Sequence, residues 1–207
     1  MKIDFHVHTR ASKDALHSLK QMAARAKEVG LNGIGVCEHD AYCTEKVSAP
    51  GLLILRGTEC SAREGHIVVF GVGPNFDYEK GMPAAEIARR AEKAGGVSIV
   101  AHAFSVRKRK SSMGSKCFDV GATAIEKFNG SDFVHNFVAS RRVKAGTGGS
   151  DAHSWYEVGN AYTVLDCRPK EDEVLDALRA GRVQAVLAQN VYAIAKRKWE
   201  RFLAKGF

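Results

Sequence analysis

With 207 residues, 45% of them hydrophobic and 26% charged, the chain has the make-up of one packed domain spanning 1–207, which excludes a disordered tail and leaves little room for two domains. No window approaches the ~18 consecutive apolar residues of a membrane helix, and Met1 to Thr9 alternates in polarity, so a cytoplasmic protein without a membrane is expected. The formal charge of +8 favours an anionic partner, and nothing in the sequence asks for an obligate protein partner.

Ile3, Phe5 and Val7 alternate with Asp4, His6 and His8, the period of a strand, and this places the three polar residues on one face. Leu16, Leu19, Met22, Ala23, Ala26 and Val29 then recur at helical spacing, ended by Gly30. Gly33 to Cys37, Leu52 to Leu55 and His66 to Val72 read as strands, with Glu59 close after the second of them. Pro83 opens a helix that Gly95-Gly96 ends, and Val97 to Ala101 is a short strand delivering His102.

Strands are expected again over Ala124 to Phe128 and Ala145 to Gly149, around a helix from about Phe133 to Arg142. Gly148-Gly149 suits a sharp turn before Ser150-Asp151-Ala152-His153. Ala161 to Leu165 and Val183 to Leu187 are strand-like, with a helix around Val174 to Leu178 between them, and a basic helix is expected from about Tyr192 to Leu203. Alternating strands and helices imply a parallel sheet. His, Asp or Glu stands at nearly every strand end, which favours a (β/α) barrel, whose active site is assembled from several strand ends.

His6 and His8, two apart on one strand, project roughly 7 Å apart and can converge on one metal ion. The pair gains weight from Asp14, His39, Glu59, His66, His102, Asp151 and His153, a set holding six of the eight histidines. Packing alone does not put six histidines at successive strand ends. Imidazole and carboxylate donors without thiolate suit Zn, Mn or Fe, and their number allows two or three divalent metal ions. Two metal ions are the usual device for clamping attacking and leaving oxygens at phosphorus. Cys37, Cys43, Cys60, Cys117 and Cys167 are odd in number and lack a C-x-x-C pair, so they read as reduced, mostly buried residues.

Asp4-Phe5-His6-Val7-His8-Thr9, Glu38-His39-Asp40, Gly57-Thr58-Glu59 with His66, Ala101-His102 and Gly149-Ser150-Asp151-Ala152-His153 resemble, in order, the motifs of the polymerase and histidinol phosphatase (PHP) superfamily. The match spans about three quarters of the chain. The resemblance implies a distorted TIM-like (β/α)7 barrel with a trinuclear site. It implies that His6, His8, Glu59 and Asp151 hold a first metal, Glu59 with His66 and His102 a second, and Asp14, His39 and His153 a third. The catalytic set would then be His6, His8, Glu59, Asp151 and His153. Glu38 stands where the family usually has Asp, and Lys13 separates Ser12 from Asp14 where some members have them adjacent.

Asp4 is expected to hydrogen-bond a metal-bound imidazole. Arg10, Arg107, Lys108 and Asn129 are candidates for substrate contact, while Glu126 is open between lining the site and capping a turn. His17 and His135 read as surface or packing residues, and Trp155 and Tyr156 as rim packing or a platform for a nucleobase. The expected reaction is hydrolysis of phosphate esters by a metal-bridging hydroxide. The basic stretch Arg107 to Lys116 points towards nucleotides or nucleic-acid ends, although a solvated surface loop would read the same way. Competing readings are histidinol phosphate phosphatase, a metal-dependent amidohydrolase, and a non-catalytic RNA-binding subunit with a PHP-like barrel.

Overall fold

The computed structural model describes residues 1–107 and 109–188, so Lys108 and the helix expected at about Tyr192 to Leu203 lie outside the described residues. In chain order the elements are β1 (Lys2–Val7), α1 (Leu19–Glu28), β2 (Gly33–His39), β3 (Leu53–Ser61), β4 (His66–Phe70), α2 (Ala84–Lys93) and β5 (Val97–Val100). Then come β6 (Ala124–Asn129), α3 (Phe133–Arg142), β7 (Thr147–Gly149), β8 (Ala161–Leu165), α4 (Glu171–Arg179) and β9 (Val183–Leu187). No described helix is long and apolar enough to cross a membrane.

Local chemistry sets the helix ends. Ser18 caps α1 in a capping box: its hydroxyl accepts from the Gln21 N–H at 3.4 Å, and the Gln21 amide accepts from the Ser18 N–H at 3.0 Å. Gly30 takes φ +74° just beyond the helix, a conformation open to glycine at little cost. The apolar stripe Leu19, Met22, Ala23 and Ala26 is buried. Ser18→Ala is expected to cost about 1 kcal/mol, read as a fall of roughly 2–4 °C in the thermal midpoint.

The strands run in the order β7-β6-β5-β4-β3-β2-β1-β8-β9. β1 to β7 form the barrel wall, and the residues just past β7 close it against β1. His8 N donates to Ala152 O at 2.9 Å and Ala152 N donates to His6 O at 3.2 Å. β8 instead pairs antiparallel with the start of β1, Lys2 opposite Val164, and β9 extends the sheet beyond it.

Strict strand–helix alternation with a parallel sheet does not hold. β3 and β4 form an antiparallel pair, β4 is antiparallel to β5 as well, and no helix joins β2 to β3. The hairpin has a direct consequence for the site. Ser61 pairs with His66, so the first residue of the reversed strand β4 stands at the rim where the parallel strands end.

Gly148 and Gly149 serve close approach, not a turn. A Cβ on Gly148 would lie 2.3 Å from Tyr162 O, and one on Gly149 would lie 2.4 Å from His6 Cβ. Phe5 and Phe70, with ring centroids 6.0 Å apart, sit in a core with Ile3, Leu55, Val97, Ile99 and, from α4, Val174 and Leu178. Gly35 and Gly57 make room for the Phe70 ring, since a Cβ on either would come within 2.6 Å of it.

Candidate metal centre

Each expected ligand but Asp14 stands at or near the place where a strand of the barrel meets its loop. His6 is in β1 and His8 just follows it, His39 ends β2, Glu59 lies in β3, His66 opens β4, and His102 follows β5. Asp151 and His153 follow β7. Among the described residues three that are not glycine adopt positive φ, namely Asp40 (50°), His102 (28°) and Asp151 (55°), and all three are at this rim. Such conformations are costly for L residues and turn the chain sharply at the end of a strand.

Glu59 is the hub. Its Oε1 lies 2.8 Å from His66 Nδ1, 3.0 Å from His102 Nε2 and 3.4 Å from His6 Nε2. Its Oε2 lies 2.8 Å from His39 Nδ1 and 3.4 Å from His8 Nε2. Asp151 Oδ1 approaches the same two rings of β1, at 3.7 Å from His6 Nε2 and 3.6 Å from His8 Nε2. Asp14, in the loop before α1, reaches His153 Nε2 at 3.1 Å and His39 Nε2 at 3.6 Å. All nine expected ligands are thus brought together. Accessibility is graded across them: His6, His8, Glu59, His102 and Asp151 are buried, while the side chains of His39 and Asp14 are 31% and 48% exposed.

Further residues orient these donors. Glu126 accepts from His6 Nδ1 at 3.0 Å through Oε1, while its Oε2 takes the His102 N–H at 2.7 Å and the Asn129 amide at 2.9 Å. It is the carboxylate behind the imidazole that was expected of Asp4. Asp4 is pinned elsewhere, accepting backbone N–H groups of His6, Ser150 and Gly159 at 3.2, 2.8 and 2.9 Å. A register irregularity between Asp4 and Val7 breaks the simple alternation of β1, so Asp4 does not share the fate of the two histidines. Burial pushes its carboxyl up to about 6 against those hydrogen bonds.

Asn129 is also reassigned. It is fully buried, and its amide bonds Glu126 and, at 3.4 Å, Asp151, so it orients two carboxylates of the site. Glu38 is buried too and clamps the loop after β1, accepting from the Thr9 and Ser12 hydroxyls at 2.5 Å. Ser12 Oγ in turn stands 3.5 Å from His8 Nδ1 and accepts the His39 N–H at 3.2 Å.

Arg10 is exposed on the loop after β1, and Arg107 donates from Nη1 to Ser131 O at 3.1 Å. The Ser131 hydroxyl donates to Asp151 Oδ2 at 3.1 Å, so Arg107 is anchored one residue from a candidate ligand. His135 is a packing residue as expected, fully buried, with Nε2 against Glu126 O at 3.0 Å and Nδ1 accepting from Phe104 N at 3.2 Å. His17 packs against Trp155 and Tyr156, with ring centroids 6.2 and 6.4 Å away. All five cysteines are free, and Cys37, although close to His6 and His8, is kept a thiol by burial and by the charges of Glu59 and Glu38.

The electrostatics call for cations. Burial alone would raise the Glu59 carboxyl, but the imidazoles around it, His6 and His66 foremost, hold it well below the usual carboxylate range. Burial would lower His6, yet Glu126, Glu59 and Asp151 lift it well above an ordinary histidine. Burial and the neighbouring His153 push His8 down to about 3, which favours a neutral, ligating ring. The buried Nε2 atoms of His6 and His8 find no hydrogen-bond partner among the described residues. Orphaned imidazole nitrogens converging on buried carboxylates fit a divalent metal centre of nitrogen and oxygen donors.

A family model described as PHP-associated matches residues 136–183, a span from within α3 to the start of β9 that includes Asp151 and His153. No curated protein matches the chain by sequence. Among solved structures, PsfC from Pseudomonas syringae is similar at a TM-score of 0.74 and 18% identity, over 98% of each chain. A two-domain protein from Bacteroides vulgatus, described as containing a predicted PHP-like metal-dependent phosphoesterase, is similar at a TM-score of 0.69 and 18% identity, over 97% of this chain and 69% of that one. The lesion-specific endonuclease Q of Pyrococcus furiosus is similar at a TM-score of 0.61 and 18% identity, over 89% of this chain and 57% of that one. The barrel of this chain, with its one reversed strand, has the PHP fold, a distorted TIM-like barrel.

Proposed function

We propose that the chain is a metal-dependent hydrolase of phosphate esters, acting on nucleotides or nucleic-acid ends, with its site carried by one domain. The observation that supports this most is Glu59, a buried carboxylate whose two oxygens face five imidazoles. Both oxygens of such a group can serve two ions at once. His6, His8, Glu59 and Asp151 would hold one ion, His66, His102 and Glu59 a second, and Asp14, His39 and His153 a third. Zn, Mn and Fe suit these donors. When bound, such ions neutralise charge on phosphoryl oxygens and activate water.

The chain's own residues do the rest. Glu126 fixes the His6 ring and Ser12 borders the His8 ring, so that their Nε2 atoms point inward. His39 and Asp14, on the open side, border the path by which a phosphate enters. Arg107, tethered through Ser131 beside Asp151, is the cation placed to meet that phosphate. The net charge of +8 and the likeness to a nuclease fold favour nucleotide or nucleic-acid substrates over histidinol phosphate. A carboxylate at the position that would bridge two ions, where amidohydrolases often use lysine, favours phosphate esters over amides. Five free cysteines suit a cytoplasmic setting.

The test is turnover of p-nitrophenyl phosphate, nucleoside monophosphates and a peptide amide by the protein as purified, after chelation, and after addition of Mn or Zn. Phosphate ester hydrolysis that disappears on chelation and returns with metal is the expected outcome. Hydrolysis persisting in stripped protein, or confined to the amide, would refute the reading.

A further inference from the structure

Helix α3 starts at the metal centre and leads away from it. Ser131, two residues before the helix, bonds Asp151 through its hydroxyl and Arg107 through its carbonyl. Asp132 then caps the helix by accepting the His135 N–H at 3.0 Å. The inner face, His135, Asn136 and Ala139, is buried and fixes the helix against β6.

The outer face is unusual for a surface helix. Phe133, Phe137 and Arg141 are spaced four residues apart and so line up along one side. Phe133 is 56% and Phe137 63% exposed. The Arg141 guanidinium lies 3.7 Å from the centre of the Phe137 ring and donates to Phe137 O at 2.8 Å. Single exposed apolar residues are ordinary, but two aromatic rings in line, ending under a guanidinium, form a patch that calls for a partner.

The neighbouring loop adds charge. Between α3 and the segment after β5 lies a cleft of about 390 Å3 lined by Phe104, Val106, Ser115, Val138 and Arg142, among others. Arg142 donates to Ser115 Oγ at 2.8 Å across it, and exposed Arg107 and Lys110 belong to the same loop. α3 itself, Phe133 to Arg142, contains no acidic residue.

The occupant must therefore offer flat faces to two phenylalanines and negative charge to Arg141 and Arg107. A second copy of the chain could offer aromatic faces but not the negative charge. In a symmetric dimer through this face, arginines would oppose arginines with no carboxylate of α3 to separate them. A single nucleic-acid strand meets both, because its bases stack on aromatic rings and its phosphates pair with guanidinium groups. We propose that single-stranded nucleic acid lies along α3, its bases on Phe133 and Phe137 and its phosphates near Arg141 and Arg107, with its end in the metal centre. The proposal rests on the phosphoesterase reading and names its substrate class.

The experiment measures fluorescence anisotropy of a fluorescein-labelled, 5′-phosphorylated oligothymidylate on the metal-loaded chain. Turnover of the same oligonucleotide is compared with that of p-nitrophenyl phosphate. The double variant Phe133→Leu/Phe137→Leu, still apolar but without π faces, is expected to bind the strand about tenfold or more weakly. Its preference for the oligonucleotide over the small ester, as a ratio of kcat/KM, should fall with it. Phe133→Tyr/Phe137→Tyr is expected to bind like wild type, and Arg141→Ala to bind more weakly with a shallower salt dependence. Unchanged affinity in the leucine variant would overturn the proposal, as would a wild-type dimer that this variant dissociates. If the wild type hydrolyses no phosphate ester, the phosphoesterase reading fails, and the binding measurements still decide the role of the stripe.

Discussion

Glu59→Gln is expected to lower turnover of a phosphate ester by about a thousandfold and to leave the purified protein depleted in divalent metal. The substitution keeps the size of the side chain and removes its charge. Glu59 Oε1 faces His6, His66 and His102 and Oε2 faces His8 and His39, so the loss is felt at five donors at once. An amide also replaces one acceptor oxygen by an NH2 group, which cannot bind a metal ion and competes with imidazole N–H groups for acceptors. The check is kcat together with elemental analysis of the same preparation. Wild-type metal content with wild-type turnover would rule out Glu59 as a metal ligand.

The second large effect is steric. Gly149→Ala would put a Cβ 2.4 Å from His6 Cβ and 2.8 Å from Glu126 Oε1. Neither neighbour is the loose end of a flexible chain: Glu126 is held by His6, His102 and Asn129, and His6 Cβ belongs to β1. The strands must separate at that point, at a cost of about 3 kcal/mol, or roughly 6–12 °C in the thermal midpoint. The His6 ring would shift as well, so activity should fall in the fraction that stays folded. Gly73→Ala serves as the control, because nothing lies within 4 Å of its added Cβ, and it is expected to change stability by less than about 1 kcal/mol. Equal midpoints for the two variants would contradict the close packing of β7 on β1.

Much of this was written in the sequence in a form that local reasoning can read. The strand of His6 and His8, the helix Phe133–Arg142 and the strand leading to His102 follow from periodicity and from glycine punctuation, and the structure has them within a residue or two. Strand direction was not legible, because a period of two is the same read either way. Hence alternation alone implies a parallel β4, whereas the strand is antiparallel, with His66 opening it as the sequence implies. The fates of Asp4 and Asn129 depended on a register irregularity and on burial, both products of packing. Glu126 carried one signal that could have singled it out. It is a carboxylate near the middle of a short strand, Ala124-Ile125-Glu126-Lys127-Phe128-Asn129, at a position that the strand buries.

The seam between β1 and the segment after β7 has a consequence for how the protein comes to be. Ser150 N reaches Asp4 Oδ1 across 146 residues of chain. Glu59 and His66, by contrast, are seven residues apart on one hairpin. The hairpin half of the donor set can form early, since its loop is short and its ordering entropy small. Asp151 and His153 join His6 and His8 only once the ends of the barrel have met. The complete donor set is thus a readout of finished folding: a nascent or partly unfolded chain presents only local pairs such as Glu59–His66 and His6–His8, and a metal ion bound by the full set would select the closed barrel from the ensemble.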